Sequence, residues 1–172
     1  MHFSGGVYDG GRYPVYTGDA IVNSTVNPKN DLSRAVKPTA VTKKEGDIAG
    51  FSGYSASLVL GSLTSIKLYF KADSIDGATV TANCQGGSYS ATAPVLGADG
   101  RYSVLVQGIK SFDLAKPFTI RITKGDSTVT IIYSVFSYAA KNWEVSKDNM
   151  GDLCKALVLY GICADDYFTN YQ

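Results

Sequence analysis

Between Ser65 and Lys71 the chain reads SIKLYFK, with Ile66, Leu68 and Phe70 alternating with Lys67, Tyr69 and Lys71. A period of two with one apolar face defines a half-buried strand, because successive side chains leave a strand on opposite sides. The pattern recurs on both sides of this run. SASLVL (55–60) leads into it through a GS turn, and DSIDG (73–77) follows with turn chemistry. ATVTANC and GSYSATA flank QGG, a compact hairpin signal. RYSVLVQ (101–107) places Tyr102, Val104 and Val106 on one side, and FTIRIT (118–123) points Phe118, Ile120 and Ile122 inward. KGD then turns the chain into STVTIIY (127–133). About seven short strands at this spacing predict a mainly β fold, an antiparallel two-sheet sandwich of Ig-like type. Strands do not alternate with helices, which disfavours a parallel sheet.

The end of the chain changes period. SVFSYAAKNW predicts a short helix leaving the last strand, and Ser146 is the expected N-cap of a second one, with Asp148 near its positive end. Met150, Leu153, Leu157, Tyr160, Gly161, Ala164 and Phe168 fall on one stripe, and the small Gly161 and Ala164 favour a close approach. Leu159, Ile162 and Cys163 sit on the other side. A helix apolar on two faces is buried twice or meets a partner, which makes these three the docking-surface candidates. The expectation is therefore a sandwich with two C-terminal α-helices packed on it.

Residues 1–50 differ from 51–172 and form a separate Tyr/Gly-rich segment. GGVYDGGRYPVY predicts a hairpin around Val7–Tyr8 and Tyr13–Val15, with a strand at Ala20–Val22; Pro14 restricts the pairing to an edge. VNPKNDLSRAVKPTAVTKKEGD is polar and broken by two prolines, so 27–50 reads as loop or linker. Whether this segment packs on the sandwich is open.

A length of 172 residues and a 45% hydrophobic fraction suit one globular core with an appended segment. The formal charge of +1 argues against nucleic acid, which demands clustered Lys and Arg. No apolar run reaches the ~18 residues of a membrane helix. MHFSGG lacks the charged and apolar regions of a signal peptide, so Met1 reads as an artificial start or the edge of an excised fragment. Twelve Tyr, 18 Gly and many Ser and Thr suit an extracellular module. Of the three cysteines, Cys154 and Cys163 lie nine residues apart on one helix, about 13.5 Å of rise and opposite faces, too far for a bridge. Cys84 ends the run Val80, Ala82, Cys84 and points inward with them. The reading is buried or half-buried thiols, with a bridge from Cys84 to Cys154 or Cys163 left open.

Catalytic chemistry finds little material. His2 is the single histidine and sits at the terminus, where no rigidly held base forms. Cys and His do not occur at zinc-ligand spacing, and GGSYSATA lacks the Lys and following helix of a phosphate loop. Asp165 and Asp166 are adjacent on a helix and diverge, and Glu45 and Glu144 are distant in sequence. Asp73 and Asp76 are weak calcium candidates, because the full DxDxDG pattern is missing. No cofactor is expected. Aromatic rings are the richer signal: Tyr8, Tyr13, Tyr16, Tyr54 and Trp143 are stacking candidates for a sugar or peptide. Tyr69, between two outward lysines, is expected to be exposed or to pack beneath a helix. The competing reading has these rings closing the sandwich edge and seating the helices.

The stretches SLVLGSLTSIKLYFKAD, FTIRIT…STVTIIYSVFSYAAKN and DLCKALVLYGICADDYF resemble a module recurring near the C-termini of large secreted and surface proteins of anaerobic Gram-positive gut and rumen bacteria. Its pattern is a strand reading hhLYF, a terminal strand running into YSxxSYA, and a final helix reading LxKALxxYGxxAxxYF. The likeness covers about residues 55–170; Cys163 stands where small residues are usual. It implies a non-catalytic module accompanying carbohydrate-active, cellulosomal, leucine-rich-repeat or adhesin-like regions. The expectation is an extracellular or cell-surface binding module for a glycan (polysaccharide) or a surface protein, with affinity gained by repetition. The alternative is a structural cap or spacer docking on a neighbouring domain of the parent protein. A hydrolase is the weakest reading, since it needs aspartates and lysines from separate strands to converge in a cleft.

Overall fold

The computed structural model describes residues 32–85 and 87–170. The chain divides after Arg34, and of the first unit, Met1–Arg34, the described part is a 3-10 turn at 32–34. The second unit, Ala35–Gln172, holds the sheet and the helices. The hairpin and strand expected within residues 1–31 lie outside the described residues.

Among the described residues the strands are β1 (Lys43–Gly46), β2 (Ser52–Leu60), β3 (Thr64–Lys71), β4 (Thr79–Cys84), β5 (Gly87–Ala91), β6 (Val95–Leu96), β7 (Tyr102–Ile109), β8 (Phe118–Lys124) and β9 (Ser127–Tyr133). All pair antiparallel, in the order β1-β9-β8-β4-β5-β7-β3-β2, with β6 on β7. The protein is mainly β, a curled antiparallel sheet followed by a C-terminal helix. Where the alternation predicts two separate sheets, the ladder is continuous, because β5 serves both halves. Its first residues pair with β4 (Ala82↔Tyr89, Cys84↔Gly87) and its last with β7 (Ser90↔Gln107, Ala91↔Val106). A strand that changes partners part-way along turns the sheet through a corner.

The curl closes on one core. Ile66, Leu68 and Phe70 of β3, Val104 and Val106 of β7, Ile120 and Ile122 of β8, and Val129 and Ile131 of β9 are fully buried in a single cluster. The period-two pattern assigns those of β3, β7 and β8 correctly. Burying a side chain of this size stabilises by about 1.5–3 kcal/mol. Phe70 also stacks on Phe51 (4.9 Å) and Tyr102 (6.1 Å).

The stretch 27–50, read as loop, contributes β1. It pairs with β9 from Lys43↔Ile132 to Gly46↔Val129, and all four of its residues are exposed. An edge strand with no buried face carries no alternation to read, and its lysines discourage pairing with another chain.

Helix α1 (Val135–Lys141) leaves β9 directly, capped by Ser134, whose Oγ accepts from the Ser137 N–H at 2.9 Å. Ser137 Oγ in turn donates to the Val41 carbonyl (2.7 Å) and accepts from the Val41 N–H (2.9 Å), fastening the approach to β1. Helix α2 spans Met150–Asn170. Ser146 does not cap it: the residue is αR, makes no capping bond, and precedes a 3-10 turn at Lys147–Asn149. Asp148 and Asn149 have φ of 55° and 57°, and they swing the chain so that the Gly151 N–H reaches the Val145 carbonyl at 2.7 Å. A Cβ on Gly151 would stand 2.7 Å from the Trp143 carbonyl oxygen, so this approach demands glycine.

The buried stripe of α2 is Gly151, Cys154, Val158 and Gly161. This corrects the expected one: Leu153 is 40%, Tyr160 59% and Phe168 39% exposed. Met150, Leu157 and Ala164 are half-buried. The expected stripe follows the largest apolar residues, whereas the contact selects small ones. Phe136 and Leu114 already fill the space, and a Cβ at Gly161 would come within 2.9 Å of Phe136 Cε1 and 3.2 Å of Leu114 Cβ. All three cysteines are free; Cys84 and Cys154 are buried and Cys163 is exposed, so the bridge left open in the sequence is not formed.

Candidate functional site

The side of α2 turned away from the sheet carries exposed apolar residues. Leu153, Ala156, Tyr160, Cys163 and Tyr167 are all exposed there. The helix is held in this orientation by its small-residue stripe and by a polar cluster at its far end. Asp113 lies in a 3-10 turn (Ser111–Asp113) and is 5% exposed. It accepts a short hydrogen bond from the Tyr89 hydroxyl on β5 and pairs with Lys116 Nζ at 3.1 Å. Lys116 reaches on to Asp165 of α2 at 3.4 Å. Phe112, under the Lys116 ammonium at 5.3 Å, packs against Phe168 at 4.6 Å. The cluster therefore links β5, the turn and the last part of α2.

Its electrostatics are those of a fastening. Burial, then the hydrogen bond to Asp113, lifts the Tyr89 phenol well above its ordinary value. Partial burial alone would lower Lys116, but the hydrogen bonds and charges of Asp113 and then Asp165 hold it above the usual ammonium value. Burial, then the Asp113 charge, pushes up the Cys84 thiol. A neutral phenol, a carboxylate with two partners and a protonated thiol supply no activated nucleophile at neutral pH. The sequence reading missed this cluster. The signal available was the spacing of three between Asp113 and Lys116; Tyr89 is brought in by the sheet corner.

A cleft of about 320 Å³ opens at the start of α2, lined by Trp143, Glu144, Ser146, Asn149, Asp152 and Lys155 among others. Lys155 pairs with Asp152 at 3.2 Å and Lys37 with Glu144 at 3.9 Å.

The expected site residues scatter. Tyr8, Tyr13 and Tyr16 lie outside the described residues. Tyr54 is half-buried against the core. Trp143, expected to be exposed, is buried at 9% exposure because the turn into α2 folds over it. Tyr69 is half-buried rather than open: the Arg101 guanidinium lies 5.0 Å from its ring centroid, and its hydroxyl is 3.4 Å from Ser57 Oγ. Leu159 is half-buried, Ile162 is 52% exposed and Cys163 is exposed; of these docking candidates Cys163 shares the outer side with Tyr160, while Ile162 lies about 200° around the helix from Tyr160. Asp73 and Asp76 are exposed, and among the described residues no three His, Cys, Asp or Glu gather as a metal site. Among the described residues no helix is long and apolar enough to cross a membrane. Comparison with protein-family models, with curated proteins and with solved structures finds no match.

Proposed function

We propose that this chain is a non-catalytic, extracellular or cell-surface module whose work is contact with a protein, made through the open side of α2. The observation that carries the reading is the exposed apolar stripe on a helix whose other side is already fastened to the sheet. Candidate partners are a surface protein or a neighbouring domain of a larger parent, as the resemblance to modules of secreted Gram-positive proteins suggests. At the finer level of fold, the reading is an Ig-like sandwich whose two halves are joined at β5, supported by the single core that both halves share.

A second reading, glycan binding, is favoured by the cleft beside Trp143, where carboxylates, an amide, a hydroxyl and an ammonium could meet sugar hydroxyls. Retention of the intact chain on bacterial cell-envelope preparations, before and after protease treatment, separates the two. Protein contact is expected to be lost on proteolysis and in a Leu153→Lys/Tyr160→Lys variant. Glycan binding would survive proteolysis and fall in Asn149→Ala/Asp152→Ala or Tyr13→Ala/Tyr16→Ala. Absence of both retention and self-association, or reproducible turnover of a polysaccharide, would overturn the proposal.

A further inference from the structure

The two ends of the sheet are finished differently. β1, at one end, holds Lys43, Lys44 and Glu45 within its four residues. β2, at the other, reads SGYSASLVL, nine residues with no charge and no proline. An edge strand turns alternate sets of backbone N–H and C=O groups outward, and charged side chains are a common means of keeping another strand away from them. Among the described residues, no backbone hydrogen bond reaches Ser52–Leu60 beyond the pairing with β3. Helix α1 also touches β2, but a helix bonds its own backbone groups to one another and takes up none of the strand's.

The inner row of β2 is incompletely covered as well. Ala56 and Leu58 lie across from Leu68 and Ile66 of β3, which are fully buried. Tyr54, Ala56 and Leu58 pack on the same core yet stay half-buried. Val59 and Leu60 are 43% and 45% exposed. Irregularity is confined to the start of the strand, where Gly53 has φ of 48° and the register shifts between Ser52 and Ser55. Ser55–Leu60 is regular, ~20 Å of strand.

We infer that a second copy of the chain completes this edge, β2 pairing antiparallel with β2 about a two-fold axis at Ser57. This contact is separate from the α2 reading and goes beyond it. An axis normal to the sheet makes the strands antiparallel and keeps both inner rows on one side. A register offset by one residue would set inner side chains against outer ones. With Ser57 at the axis, Ala56 meets Leu58 of the copy and Tyr54 meets Leu60, while Ser55 meets Val59 on the outer side. No charge of β2 is brought against another. A contact of this length offers less than the ~800 Å² per partner of a standard interface, so the pair is reversible. A two-fold contact uses the same edge of both copies, and the charged β1 does not extend it, so assembly stops at two.

The test is sedimentation equilibrium of the full chain from ~1 to ~500 μM. The expected result is a mass rising from monomer to dimer and no further. Ser57→Glu places a carboxylate across from Lys67 within the sheet, but across from its own copy in the pair. Association should weaken at least ~10-fold, with urea unfolding of the dilute chain no less stable. A Ser57→Cys/Cys163→Ser variant keeps Cys84 and Cys154, both buried, and should give a covalent dimer with diamide. Diamide takes up the two electrons and two protons that two thiols release as the S–S bond forms. Opposed Cα atoms of an antiparallel pair, ~4.5–5.5 Å apart, lie within reach of a disulfide. Leu153→Lys/Tyr160→Lys should associate as the parent does. A mass that stays monomeric at every concentration, association indifferent to Ser57→Glu, or growth past the dimer would overturn the inference. Association lost in Leu153→Lys/Tyr160→Lys alone would overturn it too, by moving the contact to α2. A dimer that diamide does not lock through Ser57→Cys would overturn the axis at Ser57. A monomeric chain whose β2 amides gain hydrogen-exchange protection only when cell-envelope protein is added would give the edge to a foreign strand and remove the second copy. Retention on the cell envelope through Tyr160 tests the α2 reading independently of all these outcomes.

Discussion

The two sides of α2 are built by opposite rules. The inner side uses glycine, cysteine and valine, and closes on Phe136 and Leu114 with no room for an added Cβ at Gly161. The outer side carries leucine and tyrosine with their surfaces open. Side-chain size thus runs against burial along this helix. Close packing sets the inner composition, and the outer one is under no such constraint.

Substitutions should separate the sides sharply. Val158→Asp, at 1% exposure, buries a carboxylate in the inner contact and is expected to cost about 4 kcal/mol or more in urea unfolding. Gly161→Val should cost about 1–3 kcal/mol by overpacking against Phe136. Tyr89→Phe removes a donor from buried Asp113 and should cost about 1–3 kcal/mol, read the same way. On the outer side, Tyr160→Ser should change stability by no more than about 0.5 kcal/mol. A large loss there would erase the distinction between the sides.

A pH series sharpens the comparison through the buried tyrosines. Burial, then the nearby phenols Tyr54 and Tyr138, pushes Tyr133 up to about 12. Unfolding returns it to ~10, so between these values the folded chain holds the proton that the unfolded chain releases. Stability is complete below ~10 and declines as pH rises towards about 12. Tyr133→Phe should lessen that decline in chemical unfolding curves.

Much of the sheet was legible because a half-buried strand writes its environment into alternating residues, as Ile66, Leu68 and Phe70 do. β1 was not legible, since Lys43–Gly46 buries no face and owes its place to pairing with β9. Neither was the corner at β5, which depends on one strand finding different partners at its two ends. The face of α2 was misread because hydrophobicity ranks Leu153 above Gly151, and only the neighbouring surface reveals that the contact needs the smaller residue. Ser146 looked like a cap, but the left-handed Asp148 and Asn149 displaced the helix start. Ile162 and Cys163, read from the sequence as lying off the packed stripe, are exposed. The Tyr89–Asp113–Lys116 cluster was not legible, because its members meet through tertiary contacts.

The orientation of α2 is tested most directly by alkylating the dilute native chain with iodoacetamide at about pH 8 and mapping the adducts by mass spectrometry. The expected result is one modified residue, Cys163, with Cys84 and Cys154 reacting only after denaturation. Native labelling of Cys154 as fast as Cys163 would put the inner side of the helix in solvent and contradict the account.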